Sequence, residues 1–457
     1  MDIISKKSTL SGHITVPGSK SHTIRALLLA ALADGVTRIE NPLPSADCIS
    51  TVRAVSQIGA RVEGVTPPLV SDGVPVWTVT GAGSCVHRPD DVINVGNSGS
   101  LLYFMAPIAA TFPGWSVFTG DESIRRRPVG HVIDALRQLG ADVYSAHPSE
   151  NFPPLLVRGP ITTDRPLKTD GRLSQYISGI LMAVSRLQGT LRISLTDPQE
   201  TPYLFMTKQW LESYGAHVVF SDDCTHIAVT GPITLTGGRR DIPSDWEAVA
   251  FPLTAALIAG ACVVIDGIDD SGSQGDAAIV PLLQSIGADI VWDTSAKTIT
   301  ARTSRLSTEL LPGGELRVSV AGFPDAICAL AVIACFTEGT VVLADAAVCR
   351  SKETDRITVL REGLSSLGAD ITETADSLII HGHAPYDAQG MVNPLFKMHG
   401  GTLDSHNDHR VAMAYACLGL ALPAGEQVRI RQAECCSVSF PHFFERMNAL
   451  HAGFTAL

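Results

Sequence analysis

Several features that define other classes of protein are missing from this chain of 457 residues. None of its ten cysteines forms a Cys-x-x-Cys pair, so we expect reduced, buried thiols of a cytosolic protein. The adjacent Cys435 and Cys436 leave a redox pair open as an alternative. No apolar run reaches about 18 residues without a glycine, a proline or a polar residue, which excludes a predicted transmembrane helix. The chain does not open with a charged segment followed by an apolar core, so we expect no secretory signal.

Positive charge is also scarce. The chain has 34 Lys and Arg against 46 Asp and Glu, which gives a formal net charge of −12. This balance argues against nucleic acid or an anionic membrane as a partner, and any anion site must be a local concentration of cations. With 45% apolar and 18% charged residues the composition is that of a globular protein, and the length predicts two domains of about 200 residues each.

A pattern of an apolar helix, a glycine and a β-branched strand occurs six times. Its glycines are Gly35, Gly114, Gly189, Gly260, Gly339 and Gly425, which lie 71 to 86 residues apart. A second pattern, an amphipathic helix followed by a glycine and a short strand, trails each copy at Gly59, Gly140, Gly215, Gly287, Gly368 and, in degenerate form, Gly453. Glycine suits the left-handed turn after a helix. The chain therefore predicts six α/β units, three per domain, in which the first helix of each unit is buried.

Polar residues gather where the buried helices should begin. They are Lys20, Ser21 and Arg25; Asn97, Ser98, Gly99 and Ser100; Ser174 and Gln175; Ser244, Asp245 and Glu247; Pro324 and Asp325; and Asn407, Asp408, His409 and Arg410. Ser, Asn and Asp at these positions are most simply helix caps. Lys and Arg oppose the helix dipole there, so we interpret them as partners of an anion that also meets the helix N-terminus.

Two basic clusters lie in connecting segments, at 123–128 and 350–356. A charged run is usually a solvated face. In an acidic chain, however, the basic residues can line one cleft between the two halves; they are Lys20, Arg25, Arg127, Lys352, Arg356 and Arg410. Such a cleft suits substrates that carry phosphates and carboxylates, with Asp325 and Glu353 as the candidate acid–base groups.

The motifs PGSKSHTIRALLLAALADG, GNSGS, RRPVGHVIDAL, PDA, RSKETDR and HNDHRVAMA together resemble those of the 5-enolpyruvylshikimate-3-phosphate synthase family, in order and over essentially the whole chain. The resemblance implies an α/β fold of two similar domains, each with three βαβαββ units and buried parallel helices, of the inverse α/β barrel type. The domains would be 20–243 and 1–19 with 244–457, joined by a two-strand hinge at 16–19 and 242–245. The active site would lie in the cleft between them.

The resemblance also implies a reaction of the shikimate pathway of aromatic amino-acid biosynthesis. The enolpyruvyl group of phosphoenolpyruvate is transferred to the 5-hydroxyl of shikimate 3-phosphate, and phosphate is released. No metal or organic cofactor is needed, no nucleic acid or membrane takes part, and the enzyme is expected to be a cytoplasmic monomer.

Carried over residue by residue, the resemblance predicts two sets of substrate contacts. For shikimate 3-phosphate they are Lys20, Ser21, Arg25, Ser174, Gln175, Tyr203, Asp325 and Lys352. For phosphoenolpyruvate they are Lys20, Gly99, Arg127, Gln175, Arg356 and Arg410. Ser174 would contact the acceptor's phosphate. Asp325 would deprotonate the attacking hydroxyl, Glu353 would donate a proton, and Lys20 would act near the proton transfers.

Several positions depart from the best-known members of the family. They are Tyr103, where an arginine is usual, Leu173, which replaces one serine of a pair, Val348, which replaces an asparagine, and Val438, which replaces a lysine. Trp246 and Glu247 stand where small hydroxyl residues are common. These changes affect the predicted contacts to shikimate 3-phosphate more than those to phosphoenolpyruvate. Their effect on affinity, on the acceptor and on sensitivity to glyphosate is left open by the sequence.

The sequence also bears on functions other than this one. The related UDP-N-acetylglucosamine enolpyruvyl transferase uses a cysteine in a loop that here reads GDESIRRRP and has none. A paralog acting on another cyclic alcohol, an RNA 3′-phosphate cyclase built from similar units, and a non-catalytic binding protein remain alternatives. A zinc site at His406 and His409 is a further alternative that lacks a third ligand in the sequence.

Overall fold

The computed structural model describes residues 1–65, 75–386 and 390–457, which fold into two compact units. We call Gly18–Pro243 the continuous unit, and Met1–Pro17 together with Ser244–Leu457 the discontinuous unit. Each has its own hydrophobic core.

The division at the first chain crossing falls two residues earlier than the predicted boundary after residue 19. Gly18 and Ser19 belong to the continuous unit because the Ser19 N–H donates to the Pro243 carbonyl at 2.8 Å. Gly18 lies so close to Asn41 that a Cβ atom would stand 2.0 Å from its carbonyl oxygen. In the discontinuous unit, the Pro17 carbonyl accepts from the Asp245 N–H at 2.9 Å. The division between the two units thus lies between Pro17 and Gly18, inside the range 16–19 given for the hinge.

The described ranges contain twelve α-helices and 24 strands. The helices are α1 Lys20–Leu32, α2 Ala46–Ser56, α3 Gly99–Ala109, α4 Gly130–Gln138, α5 Ser174–Ala183, α6 Thr201–Glu212, α7 Trp246–Ala259, α8 Ile279–Gln284, α9 Ile327–Cys335, α10 Arg356–Ser366, α11 His409–Gly419 and α12 Phe443–Ala449. The strands are β1 Ile3–Lys6, β2 Leu10–Thr15, β3 Asp34–Glu40, β4 Arg61–Glu63, β5 Val76–Thr80, β6 Ile93–Asn94, β7 Gly114–Thr119, β8 Asp142–Ser145, β9 Leu155–Gly159, β10 Leu167–Asp170, β11 Gly189–Thr196, β12 His217–Phe220, β13 His226–Gly231, β14 Thr236–Asp241, β15 Gly260–Asp266, β16 Asp289–Asp293, β17 Thr298–Arg302, β18 Glu315–Ser319, β19 Gly339–Ala344, β20 Asp370–Glu373, β21 Leu378–Gly382, β22 Gly401–Asp404, β23 Gln427–Arg431 and β24 Thr455–Ala456.

The strands form six four-stranded sheets with one shared connectivity. The continuous unit has the orders β14-β3-β5-β4, β6-β7-β9-β8 and β10-β11-β13-β12. The discontinuous unit has the orders β2-β15-β17-β16, β18-β19-β21-β20 and β22-β23-β1-β24. In every sheet one outer strand runs parallel to its neighbour, and the remaining pairs are antiparallel; the parallel outer strands are β2, β6, β10, β14, β18 and β22. The predicted sixfold βαβαββ repeat is therefore confirmed.

One sheet in each unit is closed by a strand from the far end of that unit. In the continuous unit β14 returns to pair with β3, placing Arg240 opposite Ile39. In the discontinuous unit β1 pairs with β23 and β24, placing Ile3 opposite Ile430. The repeat is thus completed by pairing over long sequence distances, which local patterns do not reveal.

The first helix of each repeat is buried on nearly all sides, as predicted. All nine residues of α9 and all eleven of α11 are buried, which fits helices that are apolar around their whole circumference or capped by paired charges. The second helix is half exposed, and α4 leaves Asp134 and Arg137 in solvent. Because these helices are buried, most of the polar residues at their first turns also lie inside each unit.

The repeat glycines follow the expected left-handed geometry with one exception. Eleven of the twelve have positive φ angles between 69° and 113°. Gly260 instead has φ −86° because α7 runs directly into β15. A Cβ atom there would stand 2.6 Å from the Ala256 carbonyl oxygen, so close backbone approach, and not a left-handed turn, requires that glycine.

No helix within the described ranges is long and apolar enough to cross a membrane. No disulfide joins the ten cysteines, all of which lie in those ranges. Eight are buried, including Cys435 and Cys436, while Cys85 is exposed and Cys262 is half-buried.

Gly179 lets α5 pack closely on α3, and its replacement tests that packing. A Cβ atom would stand 2.3 Å from the Tyr103 carbonyl oxygen and 2.8 Å from Phe104 Cα. Alanine improves helix propensity by about 1 kcal/mol, but we expect the overlap to dominate, so that Gly179→Ala lowers the free energy of unfolding by about 1–3 kcal/mol. Urea unfolding followed by far-UV circular dichroism measures this. Asp134→Ala on the exposed face of α4 is the control and should change it by less than about 0.5 kcal/mol; an equal effect of the two would contradict the prediction.

Candidate active site

The start of α1 holds a buried lysine against a buried carboxylate. Lys20 is the first residue of the helix and 9% exposed, and its Nζ lies 3.7 Å from Asp47 Oδ2. Asp47 lies in the first turn of α2, where Ser45 caps the helix by accepting from the Cys48 N–H. A cation at a helix N-terminus is unfavourable alone, and Asp47 offsets it. Ser21 beside it is half-buried.

Arg25 is held inside the continuous unit by protein acceptors. It is 1% exposed, and its Nε donates to Thr207 Oγ1 at 2.8 Å. Its terminal nitrogens donate to Ser21 O, Ser178 Oγ and Tyr203 O, and its guanidinium lies 4.7 Å from the ring centre of Phe104. The predicted partners Arg25 and Tyr203 are therefore neighbours, and Arg25 ties α1 to α5 and α6.

Three residues predicted to bind phosphoenolpyruvate come together at the start of α3. Arg127 is 7% exposed, and its guanidinium lies so close over Gly99 that a Cβ atom there would stand 2.3 Å from it. Gln175 Nε2 donates to Ser100 Oγ at 3.0 Å. Ser98 caps the helix by accepting from the Leu101 N–H. A helix N-terminus with an adjacent guanidinium is an environment that favours an anion.

The segment that carries Arg127 is fixed from two directions. Asp121 accepts from Asn97 Nδ2 at 2.7 Å and from the Ile124 N–H at 3.0 Å. Tyr103, the residue that departs from the family pattern, donates its hydroxyl to the Pro128 carbonyl at 2.9 Å. The tyrosine at this position is thus explained by its hydrogen bond to Pro128, the residue that follows Arg127.

Ser174, which is predicted to contact the acceptor's phosphate, has a partner within the protein. Its backbone N–H and its hydroxyl both donate to Glu200 Oε2, at 3.1 and 2.9 Å. Both residues are buried, at 1% and 2% exposure. The Glu200 carboxylate therefore already accepts from the two donors that Ser174 would offer to the acceptor's phosphate.

The discontinuous unit gathers its candidate residues around Arg356. This side chain has no exposed surface, and it donates to Asp408 through Nε at 2.8 Å and Nη2 at 3.2 Å. It also donates to Asp325 Oδ1 at 2.5 Å and to Glu353 Oε2 at 2.8 Å. Burial disfavours its charge, but Asp408, Glu353 and Asp325 together raise the pKa of Arg356 well above its usual value.

Arg410 and Lys352 join the same network through Asp325. Arg410 Nε lies 3.1 Å from Asp325 Oδ1, and Lys352 Nζ lies 3.9 Å from Asp325 Oδ2. Arg410 also pairs with Glu247, another departure from the family pattern. Against the opposing effect of burial, Asp325 and Glu247 raise the pKa of Arg410. Five predicted residues are thus brought together.

Asp276 is a buried acid to which none of the sequence motifs points. It lies in the short 3-10 helix Gly275–Ala278 and is 2% exposed. Burial, with the neighbouring Glu247 and Asp325 carboxylates, raises the pKa of Asp276 well above its usual value. Asp47, Glu200 and Asp276 all lie at helix starts, where the sequence pattern cannot distinguish a cap from a site residue.

Contacts within the protein account for most of the other positions that depart from the family pattern. The Trp246 indole N–H donates to the Asp269 carbonyl at 2.8 Å, and its ring packs against Trp292. Val348 is packed against the core. Leu173 is likewise packed against the core of the continuous unit. Nothing in the structure explains Val438.

The alternative zinc site lacks a ligand set. Within the residues that the structure describes, no group of three His, Cys, Asp or Glu side chains is placed to hold a metal ion. His406 is exposed, whereas His409 is buried at the start of α11.

His131 predicts a pH dependence of stability. Its ring lies between Tyr103 and Tyr176, at 5.2 and 4.8 Å between ring centres, and burial lowers the pKa of His131 to about 4 from 6.5. Between these values the unfolded chain binds a proton that the folded chain does not, so stability falls as the pH falls. Between pH 7.5 and 5.0, we expect the free energy of unfolding to fall by about 2 kcal/mol less in His131→Phe than in wild type, as measured by urea unfolding. An unchanged pH dependence would contradict this, and the exposed His226→Gln is the control.

Arg356 predicts a large loss of stability when it is removed. Arg356→Met would leave Asp408, Asp325 and Glu353 without their shared cation, so we expect the free energy of unfolding to fall by about 3–5 kcal/mol. Arg361→Met on the same helix is the control, because its pair with Glu362 is partly exposed and should contribute less than about 1 kcal/mol. Urea unfolding at pH 7.5 compares the two variants. A loss below about 1 kcal/mol for Arg356→Met would refute the role of this side chain in holding the network.

Comparison with known proteins connects this geometry to a family. Residues 4–447 match the family model described as EPSP synthase (3-phosphoshikimate 1-carboxyvinyltransferase). A 3-phosphoshikimate 1-carboxyvinyltransferase of Ruminiclostridium cellulolyticum is 34% identical over 445 residues, which cover 97% of each chain. EPSP synthase from Acinetobacter baumannii aligns structurally with a TM-score of 0.76 and 26% identity, covering 100% of this chain and 99% of that one. The enolpyruvyl transferase NikO from Streptomyces tendae aligns with a TM-score of 0.73 over 99% of this chain and 98% of that one, but at 17% identity this likeness concerns the fold alone.

These matches confirm the predicted fold class, an α/β fold of the inverse α/β barrel type with two domains. They also cover both units, because the matched residues extend from β1 to α12. The chain belongs to the EPSP synthase family of 3-phosphoshikimate 1-carboxyvinyltransferases, which are enzymes of the transferase class.

Proposed function

We propose that this protein transfers the enolpyruvyl group of phosphoenolpyruvate to the 5-hydroxyl of shikimate 3-phosphate and releases phosphate. Membership of the family supports the reaction class. The observation that carries the proposal is the half-buried Asp325 carboxylate, which is contacted by Lys352, Arg356 and Arg410 in one network. The proposal includes a cytoplasmic, monomeric enzyme that needs no metal or organic cofactor.

Asp325 is proposed to take the proton of the acceptor hydroxyl. The hydroxyl oxygen then bonds to C2 of phosphoenolpyruvate while C3 receives a proton, which gives a tetrahedral adduct. Loss of phosphate from C2 and of a proton from the C3 methyl group restores the double bond as an enolpyruvyl ether. A positioned acid and base of this kind each contribute about 10²–10⁴-fold to the rate.

Glu353 and Lys20 are the proposed partners in the proton transfers at C3. Glu353 is held at 2.8 Å by Arg356, so its carboxyl group has a fixed position relative to Asp325, which Arg356 also contacts. Lys20 is held beside Asp47 in the continuous unit.

Phosphoenolpyruvate is proposed to bind Gly99, Arg127 and Gln175 in the continuous unit. The backbone N–H groups at the start of α3 and the adjacent guanidinium favour an anion there. In the discontinuous unit, Arg356 and Arg410 are the proposed partners of its carboxylate or phosphate. Both now pair with carboxylates, so a substrate oxygen competes with protein oxygens for their N–H donors.

The acceptor is proposed to contact Ser21, Arg25, Ser174, Gln175, Tyr203, Lys20, Lys352 and Asp325. Two substrates that carry phosphates and carboxylates repel each other, so several cations are required before they can meet. Once water is excluded, each remaining charge interaction is stronger. Alignment of the hydroxyl with the enol can then supply on the order of 7–11 kcal/mol of the barrier.

Release of phosphate tests the function directly. We expect phosphate release from phosphoenolpyruvate to require shikimate 3-phosphate and not to occur with UDP-N-acetylglucosamine. Absence of release with shikimate 3-phosphate, together with release on addition of another cyclic alcohol, would favour the paralog alternative.

Asp325→Asn tests the proposed base. We expect it to lower kcat by at least about 10²-fold, because the amide cannot accept the hydroxyl proton. Asp370→Asn, an exposed change in β20 of the same unit, is the control and should retain full turnover. A thermal melt establishes that both variants are folded. Full turnover by Asp325→Asn would refute the role given to this residue.

A further inference from the structure

Glu200 places a negative charge where the sequence predicts the acceptor's phosphate. Its Oε2 atom accepts from the Ser174 N–H at 3.1 Å and from the Ser174 hydroxyl at 2.9 Å. These are the donors that Ser174 offers at the start of α5. Since Glu200 is 2% exposed, its carboxylate is part of the interior of the continuous unit and not a surface group.

The backbone directs Glu200 toward Ser174. Glu200 precedes α6 in a left-handed conformation, with φ 51° and ψ 30°. The turn before it is joined to the turn before α5, because the Gln199 N–H donates to the Gly171 carbonyl at 3.0 Å. A Cβ atom on Gly171 would stand 2.7 Å from Pro198 Cα, so the two turns are in close contact. The position of the carboxylate is thus built into the fold.

Glu200 also lies among the residues proposed to bind the acceptor. Its carbonyl accepts from the Tyr203 N–H at 3.0 Å, and the Tyr203 carbonyl accepts from Arg25 at 3.1 Å. Arg25 further contacts Ser178, one turn along α5 from Ser174. One connected set of contacts therefore includes Glu200 and three of the proposed acceptor residues.

A phosphate at Ser174 would have to displace Glu200 or lie beside it. Two anions at hydrogen-bond distance repel, and the repulsion is strong where water is excluded. A neutral hydroxyl has the opposite preference, because it can donate a hydrogen bond to the carboxylate.

We infer that Glu200 is a specificity-determining residue of the acceptor site. It competes with an acceptor's phosphate for the two Ser174 donors, and it favours an acceptor group that donates a hydrogen bond at this position. The inference rests on the proposed function, because that proposal places the acceptor beside Ser174. It predicts that wild type prefers shikimate 3-phosphate over shikimate by a smaller factor than a variant that lacks the Glu200 carboxylate.

Affinities of wild type, Glu200→Gln and Glu200→Ser for shikimate 3-phosphate and shikimate test this inference. Titration calorimetry without phosphoenolpyruvate gives the dissociation constants, so no turnover is required. We expect both variants to bind shikimate 3-phosphate at least about tenfold more tightly than wild type, and shikimate no more tightly. Glutamine keeps an oxygen that can accept from Ser174, and serine leaves room for the phosphate, so the two variants test the charge by different routes.

Glu212→Gln is the matched control. It removes a carboxylate from the last residue of α6, the helix that Glu200 precedes, where Glu212 pairs with Lys208 at a partly exposed position. We expect its affinity for both acceptors to equal that of wild type. Equal or weaker binding of shikimate 3-phosphate by both Glu200 variants, or no binding to any of the proteins, would overturn the inference.

Phosphate release in the same proteins separates this inference from the proposed function. Tighter binding of shikimate 3-phosphate by the Glu200 variants without phosphate release by any protein would refute the proposed function alone. Turnover of shikimate 3-phosphate by wild type with no gain of affinity in either variant would refute the inference alone.

Discussion

A charge that is removed from water must be balanced inside the protein, and this requirement organises the discontinuous unit. Arg356 has no exposed surface, yet its guanidinium donates to Asp325, Glu353 and Asp408. These carboxylates belong to the turn before α9, the segment before α10 and the cap of α11. Because the bonds of one planar group join three segments, the relative positions of the candidate acid and base depend on Arg356.

The continuous unit meets the same requirement with smaller groups of charges. Lys20 lies beside Asp47, and Arg25 donates to hydroxyl and carbonyl oxygens of α1, α5 and α6. The sequence predicts a local concentration of cations in an acidic chain, whereas the described residues hold most of these cations beside carboxylates. An anionic substrate that binds one of these paired cations therefore competes with a carboxylate that the protein already provides.

Two departures from the family pattern are explained by such internal contacts. Tyr103 donates to the Pro128 carbonyl, next to Arg127, and so contributes to the position of a residue that the family pattern leaves unchanged. Glu247 pairs with Arg410, which also contacts Asp325. A side chain that departs from the family pattern can therefore affect the position of a predicted site residue without contacting a substrate itself.

The sequence by itself determined the features that recur locally. The period of apolar helices and glycines predicted six βαβαββ units, and eleven of the twelve repeat glycines have the expected left-handed geometry. The motifs around Asp325, Arg356 and Arg410 predicted residues that the structure joins in one network. These predictions succeed because burial on a helix face and the geometry of a helix end are set by residues a few positions apart.

Only the tertiary structure decided the pairings between distant residues. Ser174 and Glu200 are 26 positions apart, and Arg410 and Glu247 are 163 apart, so no local pattern relates them. The same holds for the return of β14 to β3 and for the assignment of Gly18 and Ser19 to the continuous unit. In the sequence, a carboxylate that caps a helix cannot be distinguished from one at a helix start that balances a buried cation. The physical difference is the neighbour that folding brings to it.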